Sequence, residues 1–286
     1  MTATTPTRPT APDPDTVLSQ ARHENFPVAS LLLPRRVRSH LLSVYGFARL
    51  VDDAGDEVQG DRLALLDELE ADLERVWGGR PQNPLIARLQ PTAAACNLEI
   101  DPFRKLIEAN RRDQVVHRYR TFDDLLGYCA LSANPVGELV LRIFDLATEE
   151  RLRLSDKVCS ALQLVEHWQD VAEDHAAGRI YLPAEDLARF GVSEPDLGLQ
   201  SATPELRELM AFEVRRARAL LDEGAPLAGT LSRRYAFAVA GFVAGGRSAL
   251  RAVERANYDV LGKRPRANLV RRAAQLAETL LHLDKR

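Results

Sequence analysis

From Val17 onward the apolar positions recur at helical spacing. Leu66, Leu69, Leu73 and Val76 fall three or four apart, as do Leu139, Ile143 and Leu146, and Leu269, Ala273, Leu276 and Leu280. Few runs alternate with period two, and β-branched clusters are rare, so no sheet is predicted. Prolines at 34, 81, 84, 91, 102, 135, 183, 195, 204, 226 and 265 punctuate the apolar stretches. The pattern predicts an all-α chain of about ten helices in a single domain over residues 17–286, with Pro265 ending or kinking what precedes it. Residues 1–16 carry Pro6, Pro9, Pro12 and Pro14 among Thr and Ala without an apolar core, and read as a disordered leader. The uncharged apolar stretch Tyr235 to Gly246 falls short of the ~20 residues that span a bilayer, so a buried core helix is expected there.

Charge narrows the classes. With 38 Lys+Arg against 41 Asp+Glu the formal charge is −3, so a general nucleic-acid binder, which needs a basic surplus, is not expected. Cys96, Cys129 and Cys159 are odd in number and widely spaced. That fits a reducing cytoplasm and buried thiols that pack as small hydrophobes.

Two acidic segments stand out. The first is Asp52-Asp53-Ala54-Gly55-Asp56-Glu57, continuing the helical pattern of Val37–Ala48. At 100° per residue, with Asp52 as zero, Asp56 lies at about 40°, Arg49 at about 60° and Tyr45 at about 20°. All four share a face, while Asp53 points about 100° away. Like charges four residues apart repel, and a cation between Asp52 and Asp56 would remove that conflict. The second segment runs from Gln163 to Asp174, where Gln163, Glu166, Asp170 and Asp174 fall within a sector of about 80° on a continuous helix. Oxygen-only donors of this kind suit Mg²⁺, a hard ion that often bridges to substrate phosphates. Acidic rows are also ordinary solvated helix faces. The run Asp67-Glu68-Leu69-Glu70-Ala71-Asp72-Leu73-Glu74 is as acidic and is assigned no chemistry. Spacing by itself leaves both readings open.

Sequence phrases carry the reading further. Asn25-Phe26-Pro27-Val28-Ala29-Ser30 is followed by Val44 to Glu57, then by Tyr128-Cys129 and Val136-Gly137-Glu138, then by Gln163 to Asp174. After these come Gly178-Arg179-Ile180-Tyr181-Leu182-Pro183, Asn257-Tyr258-Asp259-Val260 and Lys263-Arg264-Pro265-Arg266. In order and spacing the chain resembles the squalene/phytoene synthase family, from Asn25 to Arg266. The resemblance implies an all-α isoprenoid-synthase fold with two aspartate-rich helices. It implies Mg²⁺ held by Asp52 and Asp56 from one helix and by Asp170 and Asp174, with Glu166, from the other. It places Asn25, Tyr45, Arg49, Gln163, Glu166, Gln169, Tyr181, Tyr258, Lys263 and Arg264 around a prenyl diphosphate, with Tyr45 and Arg49 also in the catalytic set.

Asn25–Ser30, Ser132–Gly137 and His167–Val171 are most similar to members that convert presqualene diphosphate and water to hydroxysqualene and diphosphate, a step toward squalene and hopanoids. The implied location is the cytoplasm, with peripheral contact at the inner membrane face and with pathway enzymes, since the product is water-insoluble. Two departures stand out: Glu166 where many relatives have Asn, and Gln169 where many have Arg. Arg22-His23-Glu24-Asn25 also differs from the commoner pattern. The alternatives are a head-to-head prenyl transferase (phytoene or presqualene diphosphate synthase) and a catalytically silent assembly member of the family. A di-iron bundle needs Glu-x-x-His on two helices, and no Glu here has His three residues later. His167, beside Trp168, reads as a packed residue more readily than as a base.

Overall fold

The computed structural model describes residues 33–266. Asn25 and the proposed leader lie outside them. Among the described residues there are α-helices, two short 3₁₀ turns and no strand; a lone bridge joins Arg118 to Ile180. The helices are α1 Arg35–Asp56, α2 Arg62–Gly78, α3 Pro84–Ala87, α4 Leu89–Cys96, α5 Asp101–Asp113 and α6 Phe122–Ser132. They continue with α7 Asn134–Ile143, α8 Glu149–Gln169, α9 Val171–Ala176, α10 Ala184–Phe190, α11 Pro204–Gly224 and α12 Arg233–Arg255. They group into two compact units, one of residues 33–115 and 138–146, the other of 116–137 and 147–266.

In the first unit α1 packs on α2, α4 and α5. Its buried positions Val44, Phe47, Leu50, Val51 and Ala54 recur at helical spacing on one side. Phe47 is fully buried and meets Phe103 edge-on, ring centroids 5.2 Å apart. Truncating such a side chain to alanine costs about 3–5 kcal/mol. Asp61 caps α2 by accepting from the Ala64 amide at 3.0 Å. The acidic run on α2 is taken up in ion pairs and amide hydrogen bonds. Asp67 and Glu70 pair with Arg111, Glu74 pairs with Arg104, and buried Asp72 accepts from the Gln82 and Asn83 amides at 2.8 Å each.

The second unit is built on α8, α11 and α12. Thr148 and Thr203 cap α8 and α11 through their hydroxyls. Close approach is set by glycines. A Cβ on Gly224 would sit 2.7 Å from Val158 Cγ2 and 2.8 Å from the Leu154 carbonyl, and one on Gly246 would sit 2.7 Å from a Leu162 methyl. Gly246 therefore lets helices pack tightly. Helix α12 is apolar and long enough to cross a membrane by length and composition, but half of that stretch is buried in the protein, as in a core helix. It ends at Arg255, ahead of the break expected at Pro265, because Asn257 and Tyr258 adopt positive φ of 53° and 57°.

Arg216 and Arg218 are half-buried. Arg216 lies over the Phe122 and Phe212 rings at 4.0 and 4.4 Å and pairs with Asp186 at 2.8 Å, while Arg218 pairs with Glu254 at 2.8 Å. The planar guanidinium gains both stacking and an ion pair there, which a solvated arginine would forgo.

Candidate active site

The first acidic segment closes α1. Tyr45 and Arg49 are half-buried and Asp52 and Asp56 exposed, whereas Asp53 is buried, as the helical arithmetic requires. Arg49 pairs with Asp53, Nε to Oδ1 at 2.7 Å, and with Glu57 at 3.2 Å. Its guanidinium is thus held at the side of the row by the two acids that are not metal candidates. Asp52 Oδ1 accepts from Asn110 Nδ2 at 3.0 Å. Asn110 also donates to the Leu106 carbonyl at 3.2 Å, and Gln114 Nε2 donates to the Gly55 carbonyl at 3.0 Å. Helix α5 can come this close because residue 55 is glycine: a Cβ there would lie 2.3 Å from Asn110 Oδ1.

Desolvation pushes the Asp52 carboxyl up to about 6, against the Asn110 hydrogen bond and Arg49, and the charges of Asp56 and Asp53 push the same way. Its side-chain surface remains open to solvent, so the desolvation reflects surrounding protein rather than direct cover. A carboxylate in this setting gains from a neighbouring cation.

The second segment departs from the expected single helix. Helix α8 stops at Gln169, Asp170 takes φ −107° and ψ 13°, and α9 restarts at Val171. The Asp170 amide reaches back to the Glu166 and His167 carbonyls at 3.0 and 3.3 Å, and the Asp174 amide donates to the Asp170 carbonyl at 2.8 Å. The common sector computed for a continuous helix therefore stops at Asp170, and Asp174 belongs to the next helix. Arg264 Nη2 donates to Asp170 Oδ2 at 2.6 Å, and its Nε also pairs with Oδ1. Desolvation lifts the Asp170 carboxyl to about 6, Arg264 opposes this, and Glu173 and Asp174 reinforce it.

Around this break lies an aromatic stack. Buried His167 lies flat on Tyr181, centroids 3.7 Å apart and planes 16° from parallel. Tyr181 in turn neighbours Tyr119 and Tyr128, each at 5.8 Å. His167 is 3.3 Å from Gln163 through its Nε2 and 3.9 Å from Asp174 through its Nδ1. It is a packed residue, as its sequence setting suggested. His167, Asp174, Arg179 and Tyr181 border a small cleft together with Val171, Ile180, Leu182 and Leu197.

Gln169 differs from its expected role beside a diphosphate. It is buried, and its amide donates to the Pro265 carbonyl. Glu166 is half-buried and Lys263 exposed, while Tyr258 sits in the positive-φ turn after α12. That turn is organised by Asp259, which no spacing argument singled out. Its carboxylate accepts from Ser201 Oγ at 2.5 Å, the Ala202 amide at 3.1 Å and Arg207 at 2.7 Å. These bonds outweigh desolvation and hold the carboxyl down at about 2.

Among the described residues no three His, Cys, Asp or Glu side chains converge closely enough to hold a metal ion. Each acidic segment alone nevertheless offers anionic oxygen donors whose charge is costly as it stands, which is the chemistry of a hard divalent cation site. Asp52 and Asp56 offer such donors one turn apart on the exposed side of α1. Asp170 offers them only where Arg264 gives way.

The helical architecture is that of the all-α isoprenoid synthases. The squalene/phytoene synthase family matches over residues 20–272, and the chain belongs to that family, whose members act on prenyl diphosphates. It is 32% identical over 276 residues to a 15-cis-phytoene synthase of Synechococcus elongatus, covering 90% of this chain and 88% of that one. It is 36% identical over 211 residues to a hydroxysqualene synthase of Rhodopseudomonas palustris, covering 72% and 71%. Among solved structures it superposes on squalene synthase HpnC from Alicyclobacillus acidocaldarius with a TM-score of 0.79 and 48% identity, over 84% of this chain and 92% of that one. A dehydrosqualene synthase in complex with ligand matches with a TM-score of 0.85 and 26% identity, over 95% and 96%.

Proposed function

We propose that the protein converts presqualene diphosphate and water to hydroxysqualene and diphosphate, with Mg²⁺ as cofactor. The observation that carries the chemistry is the placement of Asp52 and Asp56 one turn apart on the exposed side of α1, with Asp52 oriented by Asn110 at 3.0 Å. Two like charges so placed are a position that a cation would relieve. The choice of reaction within the family rests on the 48% identity to a squalene synthase HpnC and the 36% identity to a hydroxysqualene synthase.

On this reading Asp52 and Asp56, and Asp170 and Asp174 with Glu166, would hold Mg²⁺. When bound, it neutralises charge on the departing diphosphate. The C–O bond breaks with its electron pair leaving on diphosphate, and Arg49 and Arg264 supply charge-assisted hydrogen bonds to the phosphate oxygens. The carbon skeleton left behind is a cation, which the π-faces of Tyr119, Tyr128 and Tyr181 suit. Water closes the reaction: its oxygen bonds to carbon and one of its protons passes to the released diphosphate, leaving the alcohol. No reductant enters. The water-insoluble product favours work at the inner face of the membrane.

The phytoene synthase likeness, which spans 90% of the chain, favours a second reading: head-to-head coupling of geranylgeranyl diphosphate. Farnesyl, geranylgeranyl and presqualene diphosphates, each supplied alone with Mg²⁺ and without NADPH, separate the two. Consumption of presqualene diphosphate only is expected. Coupling of either of the others, with presqualene diphosphate untouched, would replace the reading with a prenyl transferase.

A further inference from the structure

Two adjacent residues at the end of α8 hold two adjacent residues of the segment after α12. Gln169 donates to the Pro265 carbonyl, and Asp170 carries the Arg264 guanidinium across both carboxylate oxygens. Glu173 Oε2 lies a further 4.0 Å from Arg264 Nη1. The other end of the segment is pinned through Asp259 to Ser201, Ala202 and Arg207. Residues 259–266 thus form a strap held at Asp259 and again at Arg264 and Pro265, where it is latched onto the second acidic segment.

The latch conflicts with the role given to Asp170. The guanidinium is hydrogen-bonded to Oδ2 and lies close against Oδ1, which has no hydrogen-bond donor of its own, so it occupies the side of the carboxylate that a hard cation would use. Arg264 is also the nearest positive charge that offsets Asp170, since Glu173 and Asp174 add to its unfavourable negative surroundings. We propose that Arg264 is an exchangeable counter-ion of the second acidic segment. It sits on Asp170 while no metal is bound, moves to diphosphate oxygens when Mg²⁺ takes Asp170, and is kept within reach by Gln169 and the pinned strap. Gln169 is then a positioning residue for Arg264 rather than a diphosphate ligand, which accounts for a neutral amide at this position. The inference rests on the metal reading given under the proposed function.

Coupling of this kind has a sign. Arg264 competes with Mg²⁺ when diphosphate is absent and assists diphosphate when Mg²⁺ is present, so the two ligands bind cooperatively through it. Calorimetric titration of the full chain with Mg²⁺ alone should show Arg264→Gln binding about tenfold tighter than the parent, equivalent to 1.4 kcal/mol. In saturating Mg²⁺ the same variant should bind inorganic diphosphate more weakly. Hydrogen–deuterium exchange of the parent should speed up at residues 259–266 on adding Mg²⁺ and slow again on adding inorganic diphosphate. Gln169→Leu provides a second variant if Arg264→Gln does not fold: it should exchange faster over 259–266 without Mg²⁺ and bind the metal more tightly than the parent. A merely structural ion pair would give the opposite pattern, with Mg²⁺ affinity unchanged in both variants and no metal-dependent exchange in the strap, and that would overturn the proposal. Absence of Mg²⁺ binding to parent and variants alike would instead overturn the metal reading and the exchange with it.

Discussion

Replacing Gly55 with alanine tests how the first acidic segment is held. The new Cβ would lie 2.3 Å from Asn110 Oδ1 and 3.1 Å from its Cγ, so the buried amide must move. Its Nδ2 is bonded to Asp52 at 3.0 Å and to the Leu106 carbonyl at 3.2 Å, and moving the amide breaks or strains both. A hydrogen bond to a charged group contributes about 1.5–3 kcal/mol, and tolerating the clash instead costs about 1–3 kcal/mol. These are alternative routes to relief, so they do not add. Alanine recovers up to ~1 kcal/mol over glycine in a helix. The expected net loss is about 1–2 kcal/mol. Asn110→Ala removes the obstructing atoms, and in that background Gly55→Ala should be neutral or slightly stabilising. Urea unfolding of the parent, both single variants and the double variant gives the coupling directly. It should be about 1–3 kcal/mol; additivity within ~0.5 kcal/mol would show that Gly55 and Asn110 do not share one close contact and refute the reasoning.

Other outcomes follow from the same geometry. Asp52→Asn and Asp170→Asn should each lower turnover by about two orders of magnitude or more, as loss of charge stabilisation at a reacting centre does, while circular dichroism stays helical; near-normal turnover in both would sink the metal assignment. Glu213 is fully buried beside Asp186 and Arg216, and burial pushes its carboxyl up to about 8. The folded state therefore keeps this proton above the ordinary value of 4.5, and stability is lost as pH rises from about 4.5 to about 8. Glu213→Gln should flatten that decline in a thermal-unfolding series between pH 6 and 9, and an unchanged slope would contradict it. Asp259 has the opposite sign: its carboxyl is held at about 2, so its contribution is complete above 3.8 and disappears as pH falls toward 2. After solvent screening that contribution is about 1–2 kcal/mol. Asp259→Asn should remove it and raise hydrogen exchange at 257–262; unaltered exchange there would show that the strap is not rooted at Asp259.

The helices and the face of α1 were legible because they depend on local period. Asp53 in, Asp52 and Asp56 out, follows from 3.6 residues per turn. The break at Asp170 was not legible, since an aspartate is compatible with a helix and only the tertiary partner Arg264, far along the chain, accompanies the departure. Asn110 was missed for a related reason. It is a single polar residue within the apolar stripe of Leu106 and Ile107, and its partner Asp52 belongs to another helix. A polar side chain on a buried face was the available signal, and Gly55 inside the acidic run was its counterpart. The setting of Arg216 was not legible either, because composition does not reveal that Phe122, Phe212 and Asp186 lie against it.

Water capture without a reductant is the central claim about function. Incubating the purified protein with presqualene diphosphate and Mg²⁺ in oxygen-18 water, without NADPH, and weighing the product by mass spectrometry tests it most directly. The account predicts hydroxysqualene carrying the heavy oxygen, formed only while EDTA is absent. An unlabelled alcohol, a product without oxygen, or no consumption of presqualene diphosphate would contradict it.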